Sequence, residues 1–534
     1  MVERGRRVHP GRHGRDDGRA ARGAPGAVSD LCLAVDLGTG GPKVALVTLE
    51  GEVVDVEIHA VATRVDPTGA ATQDPEEWWR LIASASRRLV ATVDPSRVVA
   101  IGVTGQYAST VPVDEHGRPV GECLTWLDTR GVAHARSVLG GPVMGYAPLK
   151  VAAFVRRSAG APSVSAGDPL GQILYLERER PEVAARTRWY VEPIDYLTGR
   201  MTGVATGSPA SRLALWLTDT RDLASVDYDA RLVRLSRLPA EKLPPLVATG
   251  SVVGGLCALA ADALGVRAGT PVVGAVPDLH AAALGARAVA PFQAHAALST
   301  TAWVSCPVPS KKTDVVHSIA TVPGLGDGRY LVIDNQETGA RALEWCRDLL
   351  WPEASYEELT ALAATAPAGS NGVRVGPWLA GERSPVEDKG LRAVIAGLGV
   401  ATGRADLVRA VMEGVAANVA WLFEHVERFT RHRLEPVSLV GGGAESTLWC
   451  QMVADATGRA VVRTPSPRVA QLRGVGHLCA LALGRTTLDE LAGRPPEGER
   501  FEPAAPPGGS DLAALYRLER AWRRAGRRPR PRLG

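Results

Sequence analysis

The stretch Pro271-Val-Val-Gly-Ala-Val-Pro-Asp-Leu-His-Ala-Ala-Ala-Leu-Gly285 combines an apolar run, one carboxylate and a segment rich in alanine. The β-branched residues up to Val276, which Gly269 and Pro277 bound, predict a buried strand, and the later alanines predict a helix. A carboxylate at this junction lies beside free backbone N–H groups at the positive end of a helix, which favours its ionised form. We therefore interpret Asp278 as a candidate catalytic base, although the same position also suits a simple helix N-cap.

The composition is that of a globular protein with more than one domain. The chain has 534 residues, of which 45% are hydrophobic and 22% charged, and its formal net charge is +4. At roughly 100 to 200 residues per domain, this length predicts at least two domains. The sequence offers neither a run of roughly 18 apolar residues nor the apolar segment of a secretory signal. We therefore expect a cytoplasmic protein that binds neither a membrane nor a nucleic acid.

Both ends of the chain are rich in arginine, glycine and proline. Such segments cannot bury enough apolar surface to fold, so we expect disordered basic tails at residues 1–29 and 516–534. The seven cysteines are odd in number, widely spaced and without a Cys-x-x-Cys pair. This spacing predicts reduced, buried thiols rather than a disulfide framework or a zinc site.

A glycine-rich turn interrupts the first strand pattern of the chain. Residues 31 to 49, LCLAVDLGTGGPKVALVTL, read as strand, turn and strand. Glycines between Asp36 and Gly41 let successive backbone N–H groups approach an anion, and Thr39 adds a hydroxyl. Plain turn chemistry explains such a hairpin equally well, so this turn alone is weak evidence of phosphate binding.

The same plan recurs after Gly285. Residues 294 to 306, AHAALSTTAWVSC, again read as strand, hydroxyl-rich turn and strand. An internal echo of this kind predicts two structurally similar halves. We place an N-terminal domain at residues 30–285 and a C-terminal domain at residues 286–515.

Polar residues follow two further strand patterns of the first half. These segments are Gly105-Gln-Tyr-Ala-Ser109 and Thr125-Trp-Leu-Asp-Thr-Arg-Gly131. Ligand contacts in α/β proteins gather at the carboxyl ends of strands. Gln106, Asp128 and Arg130 supply the amide, carboxylate and guanidinium groups that bind sugar hydroxyls, but an ordinary surface ion pair explains the last two equally well.

Two segments of the second half complete the pattern. Apolar residues recur at spacings of three and four from Asp406 to Phe429, which predicts a long amphipathic helix. Residues 436 to 444 then read as a buried strand that ends in three glycines before a further helix. Glycines at this place permit the close approach of a nucleotide.

In this order, the segments resemble the FGGY carbohydrate kinases, the family of xylulokinase, glycerol kinase and ribulokinase, over about residues 31 to 490. The most specific match is Ala393-Val-Ile-Ala-Gly-Leu398, followed after seven residues by Asp406-Leu-Val-Arg-Ala-Val-Met-Glu413, which fits the family's C-terminal signature. Gly381-Glu-Arg-Ser-Pro385 is similar to the Gly-Glu-Arg-Thr-Pro of xylulokinases. Three shorter motifs also fall where the family has them, namely Asp36-Leu-Gly-Thr39, Gln73-Asp-Pro75 and Gly441-Gly-Gly-Ala444.

The resemblance implies an α/β fold of two actin-like, ribonuclease-H-like domains with a central cleft, the first holding mainly sugar and the second mainly ATP. It also implies Mg²⁺-assisted phosphorylation of a hydroxyl on a small sugar or polyol, most consistent in its motifs with a ketopentose such as xylulose. In this interpretation Asp278 is the general base, and Asp36 and Asp278 hold Mg²⁺. The implied substrate-binding residues are Gln106, Tyr107, Asp128, Arg130 and Asp278.

The resemblance further implies a set of residues around the nucleotide and its phosphates. These are Gly38, Thr39, Lys43, Ser299, Thr300, Thr301, Gly339, Gly442, Gly443 and Thr447. A homodimer is an additional expectation.

Several positions depart from the family pattern. The chain has Gln106-Tyr-Ala-Ser109 where xylulokinases have Gln-Met-His-Gly, and Leu279 follows the catalytic aspartate where a polar residue is usual. The Gly-Thr-Ser-Gly turn of the family is here Ser299-Thr-Thr-Ala302. These changes leave the identity of the sugar open and motivate a second hypothesis, a sugar-binding pseudokinase that acts as a sensor. An actin-like or chaperone-like ATPase is a third, which the complete signature over residues 393–413 disfavours.

Overall fold

The computed structural model of the protein describes residues 29–143, 145–326, 328–504 and 512–526. The chain divides into two compact units. The first extends to Gly285 and also includes Leu325–Asp327 and Gln471–Thr487, whereas the second comprises Ala286–Gly324, Gly328–Ala470 and the residues from Leu488 onward. The tail expected over residues 1–29 lies outside the described residues, except for Ser29.

A mixed sheet forms the centre of the first unit because its strands are largely apolar and buried. The strand order is Val53–Ile58, Gly41–Thr48, Leu31–Gly38, Val98–Gly105, Pro271–Val273 and Val252–Gly255. The hairpin strands Leu31–Gly38 and Gly41–Thr48 are antiparallel, whereas Val98–Gly105 runs parallel to Leu31–Gly38 and to the short strand Val276–Pro277. The carboxyl ends of these parallel strands therefore meet at one edge of the sheet, where ligand contacts gather in such folds.

The helix Pro75–Val90 begins as its sequence predicts. The Asp74 side chain caps the helix by accepting a hydrogen bond from the backbone N–H of Glu76, and Pro75 needs no such partner. Buried residues such as Trp78 and Ile82 belong to the same apolar core as the strands of the sheet.

The first unit contains further strands and helices. The strands are Arg64–Val65, Ala71–Gln73, Val111–Val113, Cys123–Leu124, Gly140–Val143 and Trp189–Val191. The helices are Val132–Leu139, Pro148–Ser158, Pro169–Glu179, Pro181–Ala184, Pro193–Thr202, Ala230–Ser236, Ala258–Leu264 and Asp278–Gly285, with short 3-10 turns at Pro95–Arg97, Leu213–Leu215 and Ala240–Lys242.

The helix Ala470–Ala482 runs back to the first unit, although the sequence analysis assigned residues 471–487 to the second domain. Two glycines explain the close packing. A Cβ at Gly474 would lie 1.8 Å from the carbonyl oxygen of Ala281, and one at Gly476 would lie 2.6 Å from that of Thr48. The order of segments along the chain does not reveal which unit this helix joins.

The second unit has a central sheet built on the same plan. Its strand order is Ala302–Ser305, Ala294–Leu298, Val437–Val440, Val461–Arg463 and Glu499–Phe501. The first two strands form an antiparallel hairpin, and Val437–Val440 runs parallel to Ala294–Leu298. The expected echo of the first hairpin is therefore present in the structure.

Further strands and helices complete the second unit. A second sheet contains Pro307–Val308, Tyr330–Ile333, Ile319–Pro323 and Thr313–Asp314, and Arg374–Gly376 pairs with Val394–Ala396. The helices are Arg341–Leu350, Tyr356–Ala364, Arg404–Thr430, Thr447–Thr457, Leu488–Ala492 and Leu512–Arg524, with 3-10 turns at Ser370–Gly372, Gly442–Glu445 and Pro467–Val469. The long amphipathic helix predicted from Asp406 to Phe429 is thus confirmed with slightly wider bounds.

The helix Leu512–Arg524 differs from the disordered tail that was expected from residue 516 onward. Its apolar face carries Leu515, which is buried, and Tyr516, which packs edge-on against Trp378. Arg523 adds a hydrogen bond of 2.8 Å from its Nη1 to Asp388. Basic residues dominate the composition of this segment, so its amphipathic pattern was not recognised, although the helix is long enough to pack against the rest of the second unit.

Two general features bear on the expectations from composition. None of the helices in the described part of the chain is both long and apolar enough to cross a membrane. All seven cysteines are free thiols; six are buried, whereas Cys257 is partly exposed and differs from the expectation.

Candidate active site

The strand ends of the first unit bring Asp36 and the short strand before Asp278 to opposite sides of Thr104. Asp36 pairs in register with Thr104 of the neighbouring strand, and Val276 pairs with Thr104 from the other side. The Thr104 hydroxyl donates to the carbonyl oxygen of Val276 at 2.8 Å, which fixes the start of the helix that Asp278 opens. Two carboxylates that are 242 positions apart in the sequence therefore share one edge of the sheet.

Lys43 neutralises one of these carboxylates. It lies directly across the hairpin from Asp36, and its Nζ is 2.7 Å from Asp36 Oδ2. Asp36 itself is only 2% exposed. An ion pair in such a sheltered place is screened less by salt than a surface pair.

The environment of Asp278 raises its pKa. Withdrawal of its carboxyl from water and the nearby Asp36 raise its pKa to about 7, against the opposing effects of a hydrogen bond from Leu279 and the charge of Lys43. Its Oδ1 accepts the Leu279 N–H at 2.8 Å. Asp278 is the first residue of the helix and contacts the adjacent N–H, not the second or third N–H that an N-cap contacts, whereas a pKa near the working pH is the property that a base requires.

A network of amides and hydroxyls holds the segment that contains Gln106. The backbone N–H of Gln106 donates to the carbonyl oxygen of Leu37 at 2.8 Å, and its side chain donates to Gln73 Oε1 at 3.2 Å. The Thr39 hydroxyl donates to Gln106 Oε1 at 3.2 Å and accepts a hydrogen bond from Trp126 Nε1 at 3.1 Å. Thr39 is thus engaged with the predicted sugar-binding segment, although it was expected to face the phosphates.

The same segment is anchored by a buried carboxylate that the sequence analysis missed. Glu192 Oε2 accepts the backbone N–H of Ser109 at 3.0 Å, two residues after the half-buried Tyr107. Glu192 is fully buried, and its burial raises its pKa to about 8 even though Arg212 is close. A glutamate before a proline reads as an ordinary helix start in the sequence, so no local signal reveals this contact.

Asp128 and Arg130 form a sheltered ion pair. Asp128 is 1% exposed, and its carboxylate accepts hydrogen bonds from the guanidinium of Arg130 and from the backbone N–H of Ala71. The guanidinium also lies over the ring of Tyr175 at 4.7 Å from its centroid. The two residues therefore form an ion pair, but a buried one rather than the surface pair that was the alternative expectation, and a role in sugar binding remains a prediction.

The expected phosphate-facing residues of the second unit converge. A Cβ at Gly339 would lie 2.6 Å from the carbonyl oxygen of Ser299, and one at Gly441 would lie 2.5 Å from the Ser299 hydroxyl oxygen. The backbone N–H of Gly339 donates to the carbonyl oxygen of Thr300 at 3.0 Å. The hydroxyl turn and the glycine strand end therefore touch, although they lie more than 130 residues apart in the sequence.

The other residues expected to bind the nucleotide lie either after the strand Val437–Val440 or at the turns of the two hairpins. Gly442 is exposed with nothing within 4 Å of an added Cβ, whereas Gly443 packs on Leu298. Thr447 begins the helix Thr447–Thr457 and accepts a hydrogen bond from Arg463 Nη1 at 3.2 Å. The remaining members of the set, Gly38, Thr39, Thr301 and Lys43, lie in the turns of the two hairpins or directly beside them.

The family-like motifs at 381–385 and 406–413 serve the fold of the second unit. Glu382 is fully buried and accepts hydrogen bonds from the backbone of Glu337 and from the Asn418 side chain at 2.9 and 2.8 Å. Burial raises its pKa to about 7. Asp406 accepts the Gly403 N–H at 2.9 Å at the start of the long helix. These acidic residues anchor loops and a helix end.

Comparison with known families agrees with this architecture. The model of the N-terminal domain of the FGGY family of carbohydrate kinases matches residues 31–285, and the model of its C-terminal domain matches residues 299–483. The chain belongs to the FGGY family of carbohydrate kinases and is therefore an ATP-dependent carbohydrate kinase. The prediction of an α/β fold with two actin-like, ribonuclease-H-like domains is confirmed.

Individual proteins that are similar to this chain are named as sugar kinases. A xylulose kinase of Escherichia coli is 28% identical over 457 residues, which cover 85% of this chain and 90% of the relative. A gluconokinase of Bacillus subtilis is 24% identical over 440 residues, covering 80% of this chain and 83% of the relative. The crystal structure of xylulose kinase from Rhodospirillum rubrum superposes with a TM-score of 0.76 at 25% identity, covering 93% of this chain and all of the other.

Proposed function

We propose that this carbohydrate kinase transfers the γ-phosphoryl group of ATP to a hydroxyl of a small neutral sugar, with a ketopentose such as xylulose as the first candidate. The observation that carries the proposal is the group of Asp36, Lys43 and Asp278 at one sheet edge, where the pKa of Asp278 is raised to about 7. A cytoplasmic location is part of the proposal, since the reaction consumes ATP.

Asp278 acts in this proposal as the base that takes the proton from the attacking hydroxyl. A carboxylate with a pKa near 7 is sufficiently basic to accept a proton in the transition state and is still deprotonated in a large fraction of molecules. Gln106 and Tyr107 orient the sugar, and Gln73 and Glu192 hold their segment in place. Ser299, Thr300, Thr301, Gly339 and Gly442 bind the phosphates of ATP.

The carboxylates fit the magnesium ion that phosphoryl transfer requires. No group of three or more metal-binding side chains occurs among the described residues. Mg²⁺ commonly uses only one or two carboxylates, with the remaining ligands from water and substrate phosphates. Asp36 and Asp278 supply that number, and a divalent cation would relieve the repulsion that raises the Asp278 pKa. The ion would neutralise charge on the transferring group.

A neutral substrate fits the residues expected to bind sugar better than a carboxylate substrate does. The single cation among them, Arg130, is already paired with the buried Asp128. Recognition of a sugar acid would leave its carboxylate without a partner there, which is costly inside a protein. Gln106 and Tyr107 offer neutral hydrogen-bonding groups suited to hydroxyls.

A coupled assay of ADP release tests the proposal. Purified protein with ATP and Mg²⁺ is presented with xylulose, other ketoses, polyols, aldoses and gluconate, against a control without sugar. We expect sugar-dependent turnover, highest with a neutral ketose and abolished by excess chelator. Sugar binding by calorimetry without turnover would favour a pseudokinase, and a preference for gluconate would overturn the neutral-substrate proposal.

A further inference from the structure

A basic cavity lies in the first unit, on residues that take no part in the proposed contacts to sugar or ATP. Its volume is about 370 Å³, and its apolar wall consists of Leu149, Ala152 and Ala153. Four arginines complete the lining, namely Arg156, Arg157, Arg221 and Arg231. Small-molecule sites usually measure about 300 to 1,000 Å³, so the cavity can hold a small metabolite.

Two of the arginines are fixed by carboxylates behind them. Arg157 Nη1 lies 2.5 Å from Asp229 Oδ2 and 3.2 Å from Asp219 Oδ2, and Arg221 Nη2 lies 2.5 Å from Asp219 Oδ2. Thr220 connects the same two segments, because its backbone N–H and its hydroxyl both donate hydrogen bonds to the carbonyl oxygen of Arg157. These contacts join the helix Pro148–Ser158 to the loop opposite and hold two guanidinium groups in place.

The other two arginines have no such partner. Within the described residues, neither Arg156 nor Arg231 forms an ion pair, and both are exposed. The lining thus carries four positive charges, and the two contacting carboxylates carry two negative ones, which leaves a net charge of +2. No carboxylate belongs to the lining itself.

We propose that this cavity binds the phosphoryl group of a small phosphate monoester as its dianion. The net charge of +2 matches a dianion, and guanidinium groups bind phosphate oxygens in a paired geometry that lysine cannot reproduce. The wall of Leu149, Ala152 and Ala153 offers a neutral surface to the carbon skeleton of the ester. Phosphate esters of sugars, the products of carbohydrate kinases, belong to this ligand class, and the proposal does not depend on which sugar is phosphorylated.

Calorimetric titration of the full chain tests this site. The probes are inorganic phosphate and ribose 5-phosphate at pH 8, where a phosphate monoester with a pKa of about 6 is a dianion. The double variant Arg156→Gln/Arg231→Gln removes the two unpaired charges, and Arg80→Gln removes an exposed helix arginine elsewhere in the same unit. Leu149→Glu adds a repelling carboxylate at a side chain that is 89% exposed, so folding should be unaffected.

We expect one binding event to weaken by roughly tenfold or more in the double variant and in Leu149→Glu, which corresponds to about 1.4 kcal/mol or more. Arg80→Gln should bind as the unchanged protein does. Tighter binding of ribose 5-phosphate than of inorganic phosphate would identify an ester as the ligand, and equal binding would identify phosphate itself. Absence of binding to the unchanged protein, or equal affinity in all variants, would overturn the proposal. Neither result would bear on the proposed sugar-kinase function.

Discussion

The hairpins that open the two units share a backbone plan but differ in charge. Each has two antiparallel strands with a third strand running parallel beside the first. At the third cross-strand residue pair counted from the turn, the first hairpin places Asp36 opposite Lys43. The second hairpin places Ala296 opposite Val304 at the same position. A duplicated framework thus carries an ion pair in one half and two small or apolar residues in the other.

This difference indicates a division of labour within the proposed function. The first hairpin and Asp278 concentrate charge that can act on a proton or a metal ion. The second hairpin offers the hydroxyls and backbone groups of Ser299–Thr301 next to glycines. Such groups suit the binding of phosphate oxygens but do not take part in proton transfer. Changes in the first half should therefore reduce turnover, and changes in the second should mainly weaken ATP binding.

The largest effect is expected for Asp278→Asn. General-base catalysis usually contributes a factor of about 10² to 10⁴, and an amide of the same shape cannot accept the proton. We expect kcat to fall within that range while ATP affinity and melting temperature change little. A variant that folds and keeps more than about a tenth of the turnover would contradict this role and leave Asp278 with a structural one at the start of the helix, which Asn can also fill.

Asp36→Asn should have the next largest effect and should also move the pH profile. Loss of a group that positions a metal commonly costs about 10- to 100-fold in activity or metal affinity. In the unchanged protein, kcat/KM should rise with pH and level off above about 7, because Asp278 accepts a proton only when deprotonated. Removing the Asp36 charge should shift this midpoint to lower pH, since that charge raises the Asp278 pKa.

Profiles of kcat/KM for both proteins at limiting MgATP and the same low free Mg²⁺ concentration check this second prediction, because kcat/KM reports the pKa values of the free enzyme, in which no bound cation offsets the repulsion. A midpoint that stays in place or moves to higher pH would show that the two carboxylates do not interact as described. The melting temperature serves as the control for folding, because Asp36 is buried and paired with Lys43.

The sequence predicted both hairpins and Asp278 because each depends on local signals. Periodicity gives the strands, glycines give the turns, and a carboxylate at a strand end is visible in one stretch. Contacts between distant segments left no such signal. Glu192 bonds to Ser109 across 83 positions, and Gly474 packs on Ala281 from the far end of the chain. The helix at Leu512–Arg524 was missed because charge dominates its composition while its buried residues are few.

Matched glycine substitutions test the second half at the level of structure. Gly441 has a φ of +96°, and an added Cβ would lie 2.5 Å from the Ser299 hydroxyl and 2.7 Å from the carbonyl oxygen of Leu298. Gly441→Ala should lower the free energy of unfolding by about 1 to 3 kcal/mol and weaken ATP binding. Gly442→Ala, which meets nothing within 4 Å, should leave the free energy of unfolding unchanged, so a loss of ATP binding in this variant would report the proposed phosphate contact of Gly442. Urea unfolding and nucleotide titration measure both.

The first hairpin supplies an equivalent pair. Gly41 has a φ of +126°, and an added Cβ would lie 2.2 Å from the carbonyl oxygen of His59, whereas Gly40 has open space. Because this Cβ would meet backbone atoms that cannot easily move, Gly41→Ala should destabilise the protein, whereas Gly40→Ala should not. Equal stability of the Gly40→Ala and Gly41→Ala variants would contradict this account of the turn.

The smallest effect is expected for Thr300→Val in the second hairpin. The side chain is exposed, so its hydroxyl can be removed without opening a gap in the core. A hydrogen bond usually contributes about 0.5 to 1.5 kcal/mol, which corresponds to a factor of roughly 2 to 12 in affinity. We therefore expect KM for ATP to rise by that factor with kcat nearly unchanged, as measured by steady-state kinetics at saturating sugar.

Thr39→Val in the first hairpin is the matched comparison. Its hydroxyl donates to Gln106 and accepts from Trp126, so its loss should instead raise KM for the sugar. The reverse outcome, in which Thr39→Val changes only ATP binding, would place the phosphate contact in the first turn and remove the proposed division between the two halves.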